Sequence, residues 1–208
     1  MIYKRFVKPV LDIFLSFVAI IVLALPMLLI SVVIFIDDPG RILFKQRRIG
    51  KNKKEFHVLK FRTMKSSAPH DTPTHMLEDP MKYITRIGRF LRKTSLDELP
   101  QIYNIFIGQM SIIGPRPALY NQYDLIEERD KYGANALTPG LTGLAQIRGR
   151  DELEIPIKAM FDGEYARTIS FWTDFKIFFG TIKCILTKDG IVEGKNDMSQ
   201  TEAVQKSK

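Results

Sequence analysis

Residues 13–36 read IFLSFVAIIVLALPMLLISVVIFI, a run of 24 positions without a charged side chain. About 20 apolar residues are enough to cross the hydrocarbon core of a bilayer as a helix. The apolar region of a secretory signal is shorter, at about 7–15 residues. The run therefore predicts that the chain is attached to a membrane.

Pro26 divides this run into arms of 13 and 10 residues. At about 1.5 Å per residue, neither arm alone crosses a core of about 30 Å. Basic residues flank the run on both sides, and such residues prefer the cytoplasmic face of a membrane. We therefore expect a reentrant helix, broken at Pro26, that enters the membrane and returns to the same face. An ordinary transmembrane helix that contains proline is the alternative.

Positive charge is concentrated in residues 41–65, which contain ten Lys or Arg and one acid, Glu55. This segment carries +9 and the whole chain +8, so the other 183 residues together carry −1. Such a patch predicts an anionic partner, which can be lipid headgroups, phosphorylated substrates or nucleic acid. The single cysteine, Cys184, excludes an internal disulfide.

Local patterns beyond the apolar run predict short strands and helices. Residues 42–46 and 55–61 are typical of two strands joined by the basic turn 50–54, and residues 138–143 of a further turn. Apolar spacing predicts a helix over 84–93. Residues 169–188 form an amphipathic pattern rich in Phe, which indicates either a core helix or a helix lying at the membrane interface.

A second helix is predicted to start at Ser95, with Glu98 completing a capping box, and to end before Gly108. Asp97 then lies in the first turn, where the helix dipole favours the ionised carboxylate. Arginines surround this acidic pair in the sequence. Paired carboxylates among arginines suit chemistry on a phosphorylated substrate, because one carboxylate can attack or hold a metal while guanidinium groups hold phosphate. A plain helix start with capping acids is the alternative.

Arg116 stands between Pro115 and Pro117. The prolines fix their own φ and push the residue before each of them towards an extended conformation. An arginine constrained in this way loses less entropy when it binds phosphate. An ordinary rigid turn remains the other interpretation.

Taken in order, six segments resemble the bacterial sugar transferases that are monotopic phosphoglycosyl transferases, and they cover the chain from Lys8 to about Gly194. The segments are the apolar run with its proline, Phe44-Lys45-Gln46-Arg47-Arg48-Ile49-Gly50, Lys60-Phe61-Arg62-Thr63-Met64, Leu96-Asp97-Glu98-Leu99-Pro100-Gln101, residues 108–117 and residues 139–146. One position departs from the family, which often has Ser-Pro at the helix break where this chain has Leu25-Pro26.

The resemblance implies transfer of a sugar-1-phosphate from a UDP-sugar to polyprenyl (undecaprenyl) phosphate with release of UMP, as the first step of a membrane-bound glycoconjugate pathway. In the family, the residue matching Asp97 is the nucleophile and forms a covalent phosphosugar–aspartyl intermediate, with Mg²⁺ beside it. Glu98 is implied to be a positioning or general-base partner. Arg92 and Arg116 match phosphate-binding arginines, and Lys60, Arg62 and Arg150 are further substrate-binding candidates.

The implied fold is α/β, mostly helical with a small sheet, with amphipathic interfacial helices beside the reentrant helix. We expect a membrane region at 1–40, a catalytic domain at 41–193 and a disordered polar tail at 194–208. The implied location is the bacterial cytoplasmic (inner) membrane, with the domain at its inner leaflet, in the cytoplasm. Downstream glycosyltransferases are expected partners, and nucleic acid is not.

Two other functions fit parts of the sequence. A membrane-anchored basic module for anionic lipid or nucleic acid would explain residues 41–65 but not the acidic pair. A phosphotransferase that uses Asp97 with a different donor would explain the pair, although no Gly-x-x-x-x-Gly-Lys-Ser/Thr loop is present for a P-loop nucleotide site.

Overall fold

The computed structural model describes residues 2–68, 80–149 and 153–187. The predicted tail at 194–208 lies outside these ranges, as does Arg150. The helices are α1 (Lys8–Asp37), α2 (Pro80–Tyr83), α3 (Arg86–Thr94), α4 (Gln101–Phe106), α5 (Tyr123–Asp130), α6 (Leu144–Arg148), α7 (Ile155–Thr168) and α8 (Phe171–Thr187). The strands are β1 (Leu43–Ile49), β2 (Glu55–Phe61), β3 (Ser111–Ile113), β4 (Ala118–Leu119) and β5 (Gly140–Thr142). The fold is mostly helical with little sheet, as predicted.

The long helix α1 continues through Pro26 without ending, so the expected break into two arms at Pro26 is not seen. A π-helical turn at Tyr3–Val7 precedes the helix. Proline removes one backbone hydrogen bond from a helix. Met27 and Ile34, on the C-terminal side of Pro26, are buried against Phe61 and Leu91, and this packing offsets the lost bond. Within the described ranges, this is the one helix long and apolar enough to cross a membrane.

The predicted hairpin of two strands is confirmed. β1 and β2 pair antiparallel with Leu43 opposite Phe61 and Ile49 opposite Glu55, and β4 adds to the other edge of β1.

A second small sheet pairs β3 and β5 in parallel, with Ser111 beside Gly140. The prediction of a simple turn at 138–143 is therefore wrong for residues 140–142. The backbone hydrogen bonds of this segment are made with a strand about 30 residues away, which local turn patterns cannot indicate.

Glycines allow β5 to approach the end of β3 closely. A Cβ placed on Gly140 would lie 2.1 Å from the backbone nitrogen of Gly114, and one placed on Gly143 would lie 2.1 Å from the carbonyl oxygen of Gly114. No side chain fits at such distances. Residues 114–117, which follow β3 and which we call the Arg116 loop, are thereby seated against β5.

Helix α8 lies within residues 169–188, where a helix is predicted, and the burial of its side chains shows which side packs against the protein. Ile177 is 1% exposed and Asp174 is 7% exposed. The opposite side exposes large apolar groups, namely Phe171, Trp172, Phe175, Phe178, Phe179, Ile182, Ile185 and Leu186. The helix therefore has one face in the protein core and one aromatic face outside it.

Both ends of α1 are bonded to the rest of the chain. At the N-terminal end, Lys8 Nζ lies 2.7 Å from Asp174 Oδ2, and the Asp12 carboxylate accepts hydrogen bonds from Ser111 Oγ at 2.7 Å and from the Ile112 N–H at 3.1 Å. Just beyond the C-terminal end, the Asp38 carboxylate accepts hydrogen bonds from the backbone N–H and the hydroxyl of Ser66 at 2.8 and 2.7 Å. The apolar helix is thus anchored to one domain at both ends.

Candidate active site

Asp97 and Glu98 lie on a 3₁₀ turn, Leu96–Glu98, between α3 and α4. The predicted capping box is wrong. Ser95 has φ 56°, ends α3 in the left-handed conformation and makes no capping hydrogen bond with its side chain. Because α3 extends to Thr94, Ser95 acts as the C-cap of one helix and cannot also be an extended N-cap of the next.

Instead of capping a helix, Glu98 binds two cations. Its carboxylate accepts hydrogen bonds from Arg116 at 2.6 and 3.3 Å and from Lys60 Nζ at 2.9 Å. Burial opposes the charge of Glu98, but Arg116 and Lys60 outweigh burial and hold the pKa of this carboxyl well below its usual range. Glu98 is therefore a fixed anion at neutral pH.

Asp97 differs from Glu98 both in its hydrogen bonding and in the direction of its pKa shift. It is 9% exposed, and among the residues that the structure describes, none donates a hydrogen bond to its carboxylate. Burial raises the pKa of Asp97, and the charge of Glu98 adds to this rise, while Lys60, Arg92 and Arg116 oppose it.

The expected effect of a helix dipole, a lowered pKa of Asp97, is therefore wrong in direction. A three-residue turn has little dipole, and desolvation dominates. Cations surround the Asp97 carboxylate, but none of the described residues is hydrogen-bonded to it. This arrangement is suited to bind a polyanionic ligand beside Asp97.

Arg92 reaches this site from α3. Its Nε donates to the hydroxyl of Thr63 at 2.9 Å, and its charge lowers the pKa of Asp97. Gly88 allows the approach, because a Cβ at this position would lie 2.0 Å from the carbonyl oxygen of Thr63. The segment after β2 and the helix α3 thus pack closely at Gly88, where a larger residue would not fit.

Two buried or partly buried arginines hold the Arg116 loop from behind. Arg129, 6% exposed, donates from Nη2 to the carbonyl oxygen of Arg116 at 2.9 Å, and its guanidinium pairs with Asp162 at 2.6 Å. Arg48 donates from Nη1 to the carbonyl oxygen of Pro117 at 2.9 Å. Sequence reasoning missed these residues, since Arg129 stands in the charged run Glu127-Glu128-Arg129-Asp130-Lys131, which is typical of a solvated helix face.

The predicted site residues fall into three groups. Lys60, Arg92 and Arg116 are brought together around Asp97 and Glu98. Arg62 is not, because it pairs with Asp38 at 3.1 Å at the end of α1. Arg150 lies outside the described residues.

The carboxylates of this site suit Mg²⁺ only if a substrate contributes further ligand atoms. No group of three or more His, Cys, Asp or Glu that would hold a metal occurs in the part of the chain that the structure describes. Glu98 is bound by Arg116 and Lys60, which leaves Asp97 as the available carboxylate among the described residues of this site. Mg²⁺ is commonly bound by one or two carboxylates together with substrate phosphates and water, and Asp97 fits that arrangement.

Comparison with known proteins identifies the family. The family model described as bacterial sugar transferase matches residues 3–188. The exopolysaccharide production protein PSS of Rhizobium leguminosarum bv. phaseoli is 39% identical over 195 residues, which cover 87% of this chain and 96% of that protein.

Longer relatives also match. The undecaprenyl-phosphate galactose phosphotransferase of Salmonella typhimurium is 33% identical over 201 residues, covering 90% of this chain and 42% of that protein. An uncharacterized sugar transferase of Haemophilus influenzae is 37% identical over 203 residues, with the same two coverages. The chain therefore spans about two fifths of the length of these longer relatives. The matches to the family model and to these relatives, over nearly the whole described chain, show that it belongs to the bacterial sugar transferase family.

Proposed function

We propose that the chain transfers a sugar-1-phosphate from a UDP-sugar to polyprenyl (undecaprenyl) phosphate, with a covalent phosphosugar on Asp97 as the intermediate. The observation that carries this proposal is the contrast within the acidic pair. Glu98 is bound by Arg116 and Lys60, whereas Asp97 beside it accepts no hydrogen bond from any described residue. A nucleophilic carboxylate needs its lone pairs available, and Asp97 meets that condition.

The names of relatives support the donor and the acceptor. One relative is named for galactose phosphate transfer to undecaprenyl phosphate, and another, from Aeromonas hydrophila, is named a UDP-N-acetylgalactosamine-undecaprenyl-phosphate N-acetylgalactosaminephosphotransferase. Relatives named for exopolysaccharide production support a role in polysaccharide synthesis.

In the first step, an Asp97 carboxylate oxygen attacks the phosphorus that carries the sugar, and the bond from this phosphorus to the UMP oxygen breaks. UMP leaves with the bonding electrons. In the second step, a phosphate oxygen of the polyprenyl phosphate attacks the same phosphorus, and the bond to Asp97 breaks. The products are a polyprenyl diphosphosugar and free Asp97, so atoms and charges balance without an added proton donor.

The cations have distinct parts in this scheme. Lys60, Arg92 and Arg116 offset the diphosphate charge that would otherwise repel the Asp97 carboxylate. Glu98, held as an anion with both cations bound, positions Lys60 and Arg116 and is poorly suited to accept a proton. Mg²⁺ held by Asp97 and the substrate would supply further charge neutralisation.

We also infer that α1 bends at Pro26 within the membrane, so that both of its ends lie at the same membrane face. An α-helix of this length, Lys8–Asp37, is about 45 Å long. Charged groups bond both of its ends to one polar domain. Crossing the bilayer would carry one of these charged anchors through the hydrocarbon, which is costly.

The membrane-facing surface is then the apolar side that the domain leaves open. It includes Ile21, Val22, Leu25, Leu28 and Leu29 of α1, each at least 58% exposed. Ring contacts join α1 and the turn before it to their neighbours, since Phe17 of α1 stacks on Phe106 of α4 and Tyr3 of the turn contacts Phe171 of α8. We infer that α8 lies at the interface of the cytoplasmic membrane, with the domain in the cytoplasm, where the basic flanks of α1 favour it.

Intact-protein mass spectrometry tests the reaction. The full chain in detergent is incubated with a panel of UDP-sugars without acceptor, and we expect a mass increase equal to one phosphosugar with matching release of UMP. Asp97→Asn should show neither, while Glu98→Gln should retain a slow adduct. Addition of polyprenyl phosphate should discharge the adduct.

The competing reading as a basic binding module predicts a different result. Within the basic segment, Lys60 and Arg62 are paired with Glu98 and Asp38, so part of that charge already serves internal contacts. An adduct that maps to a residue other than Asp97, or normal turnover by Asp97→Asn, would overturn the proposed mechanism. Absence of UMP release with every UDP-sugar would favour the binding module.

A further inference from the structure

A cavity of about 500 Å³ opens at the N-terminal end of α1, away from the acidic pair. None of Lys60, Arg92, Asp97, Glu98 and Arg116 lines it. Its volume is within the range of about 300–1,000 Å³ typical of small-molecule sites. The proposed reaction leaves this cavity without a role.

The lining of the cavity is divided between cations and apolar groups. Its exposed members include Lys4, Arg5 and Lys51, for which no acidic partner is seen among the described residues. Its apolar walls are buried residues of the domain, namely Ile105, Met110, Ile113 and Leu137. The cations therefore stand at the open side and the apolar groups lie deeper.

The polar groups inside the cavity are already bonded to each other and to the backbone. Asp12 accepts from Ser111, and the Tyr165 hydroxyl donates to Asp174 at 2.7 Å. Lys8 pairs with Asp174 and Asp12. The charge left for a ligand is therefore the positive charge of the other three cations.

Aromatic residues beside this opening indicate its depth relative to the headgroups of a bilayer. Tyr3 contacts Phe171 with ring centroids 6.3 Å apart, and Phe171 contacts Trp172 at 5.6 Å. Tyr and Trp concentrate at the headgroup level of membranes. Lys4 follows Tyr3 directly, and Ile169, two residues before Phe171, lines the cavity. The opening therefore faces lipid headgroups wherever α1 is inserted.

We propose that this cavity binds the headgroup and first methylene groups of an anionic bilayer phospholipid, such as phosphatidylglycerol. The lipid phosphate would meet Lys4, Arg5 and Lys51, and the glycerol and first carbons would enter between the apolar walls. A bound lipid would join the start of α1 to the tip of the β1–β2 hairpin, which carries Lys51. This inference rests on membrane insertion of α1 and not on the proposed reaction.

Trp172 provides the readout, because it is the single tryptophan of the chain and neighbours the opening. The full chain is placed in phosphatidylcholine vesicles that contain an equal small fraction of either brominated phosphatidylglycerol or brominated phosphatidylcholine. We expect stronger quenching of Trp172 by the anionic lipid. In the variant Lys4→Gln/Arg5→Gln, the preference should fall by about fivefold for each cation removed.

A matched control removes two cations that do not line this cavity. Arg41 and Lys45 are exposed in the second basic flank of α1, and Arg41→Gln/Lys45→Gln should keep the preference. Equal loss in both double variants would overturn the proposal, since diffuse surface charge would then explain the binding.

Two further variants test the cavity itself. Ala136 lines the opening and is exposed, so Ala136→Phe should fill it while keeping every cation and should abolish the preference. Lys51→Glu should do the same by charge reversal. Retention of the preference in both variants, with unchanged circular dichroism, places the lipid elsewhere and refutes the site.

A competition experiment distinguishes a phospholipid site from an acceptor site. Recovery of Trp172 fluorescence on adding polyprenyl phosphate at the same fraction would identify an acceptor site and would also refute the proposed phospholipid site.

Discussion

Arg129 donates a hydrogen bond from Nη2 to the carbonyl oxygen of Arg116 at 2.9 Å, and so one buried arginine holds the backbone of another arginine that faces the acidic pair. The same guanidinium donates from Nε to Asp162 at 2.8 Å. Asp162 is 1% exposed and lies on α7. The orientation of Arg116 at the front of the site therefore depends on an ion pair in the core behind it.

Arg129→Lys should impair activity with little loss of stability. Lysine keeps the cation that Asp162 requires but cannot hold Asp162 and the Arg116 carbonyl with one planar fork. A displaced Arg116 should lower kcat/KM for the UDP-sugar by about 10- to 100-fold. Steady-state kinetics of UMP release measure this effect.

The matched control is Lys131→Gln, two residues away on the exposed side, where Lys131 pairs only with Glu128 among described residues. It should leave kcat/KM unchanged. If Arg129→Lys lowers the melting temperature without changing kcat/KM, the arginine serves stability alone.

The two acids of the pair should affect stability with opposite sign. Burial raises the pKa of Asp97, so its ionisation opposes folding, and stability is lost as pH rises through the raised pKa. Asp97→Asn should therefore melt at a higher temperature than the wild type at pH 7, with the difference shrinking towards about pH 4. Thermal unfolding of the protein in detergent measures both.

Glu98 has a lowered pKa, and its stabilisation is present above its unfolded pKa and lost as pH falls through the folded value. Glu98→Gln should therefore destabilise the protein at pH 7, by roughly 1–3 kcal/mol, because Lys60 and Arg116 lose a charged partner. Destabilisation by both substitutions would contradict the assignment of opposite environments.

The pH dependence of kcat/KM should show a single acid limb that belongs to Asp97. The nucleophile must be ionised, and its raised pKa places the loss of activity above the ordinary aspartate value of about 3.9. Glu98→Gln should move this limb to lower pH, since the charge of Glu98 contributes to the raised pKa of Asp97. A limb that stays in place in Glu98→Gln would assign it to another group.

The topology of α1 predicts equal protection of its two flanks. Cysteines placed at Ile2 and at Asn52 of a Cys184→Ser protein should both resist an impermeant thiol reagent in intact cells, since both flanks then face the cytoplasm. Both should react after the cells are opened. Labelling of Ile2→Cys alone in intact cells would establish a helix that crosses the membrane.

The close packing of the Arg116 loop against β5 predicts that one added methyl group, in Gly140→Ala, lowers stability and activity. A Cβ on Gly140 would lie 2.1 Å from the Gly114 nitrogen, so Gly140→Ala must push β3 and β5 apart. We expect a loss of about 3 kcal/mol in stability, together with reduced activity. Gly180→Ala is the control, because its Cβ would meet only the Ile147 side chain, with Cδ1 nearest at 3.1 Å. Equal tolerance of both substitutions would show that this contact is not needed.

Much of the fold follows from local patterns in the sequence. The uncharged run at 13–36 is one long helix, the β1–β2 hairpin lies where alternation and a basic turn predict it, and α3 and α8 match their apolar spacing. These elements are readable because periodicity and turn residues act over a few neighbouring positions. The grouping of Lys60, Arg92 and Arg116 near the acidic pair was also expected, although from the resemblance to a family rather than from spacing.

Tertiary structure alone decided the state of each acid. Asp97 and Glu98 are adjacent and chemically alike, and a short 3₁₀ turn aims one at Lys60 and Arg116 and leaves the other without a described partner. Likewise, Arg62 is expected among the substrate-binding residues, but its side chain pairs with Asp38. Arg129 stands in a charged run that does not indicate a role in the site, but it donates a hydrogen bond to the Arg116 loop. Charge type is a property of the sequence, whereas desolvation and ion pairing depend on which distant elements close around each group.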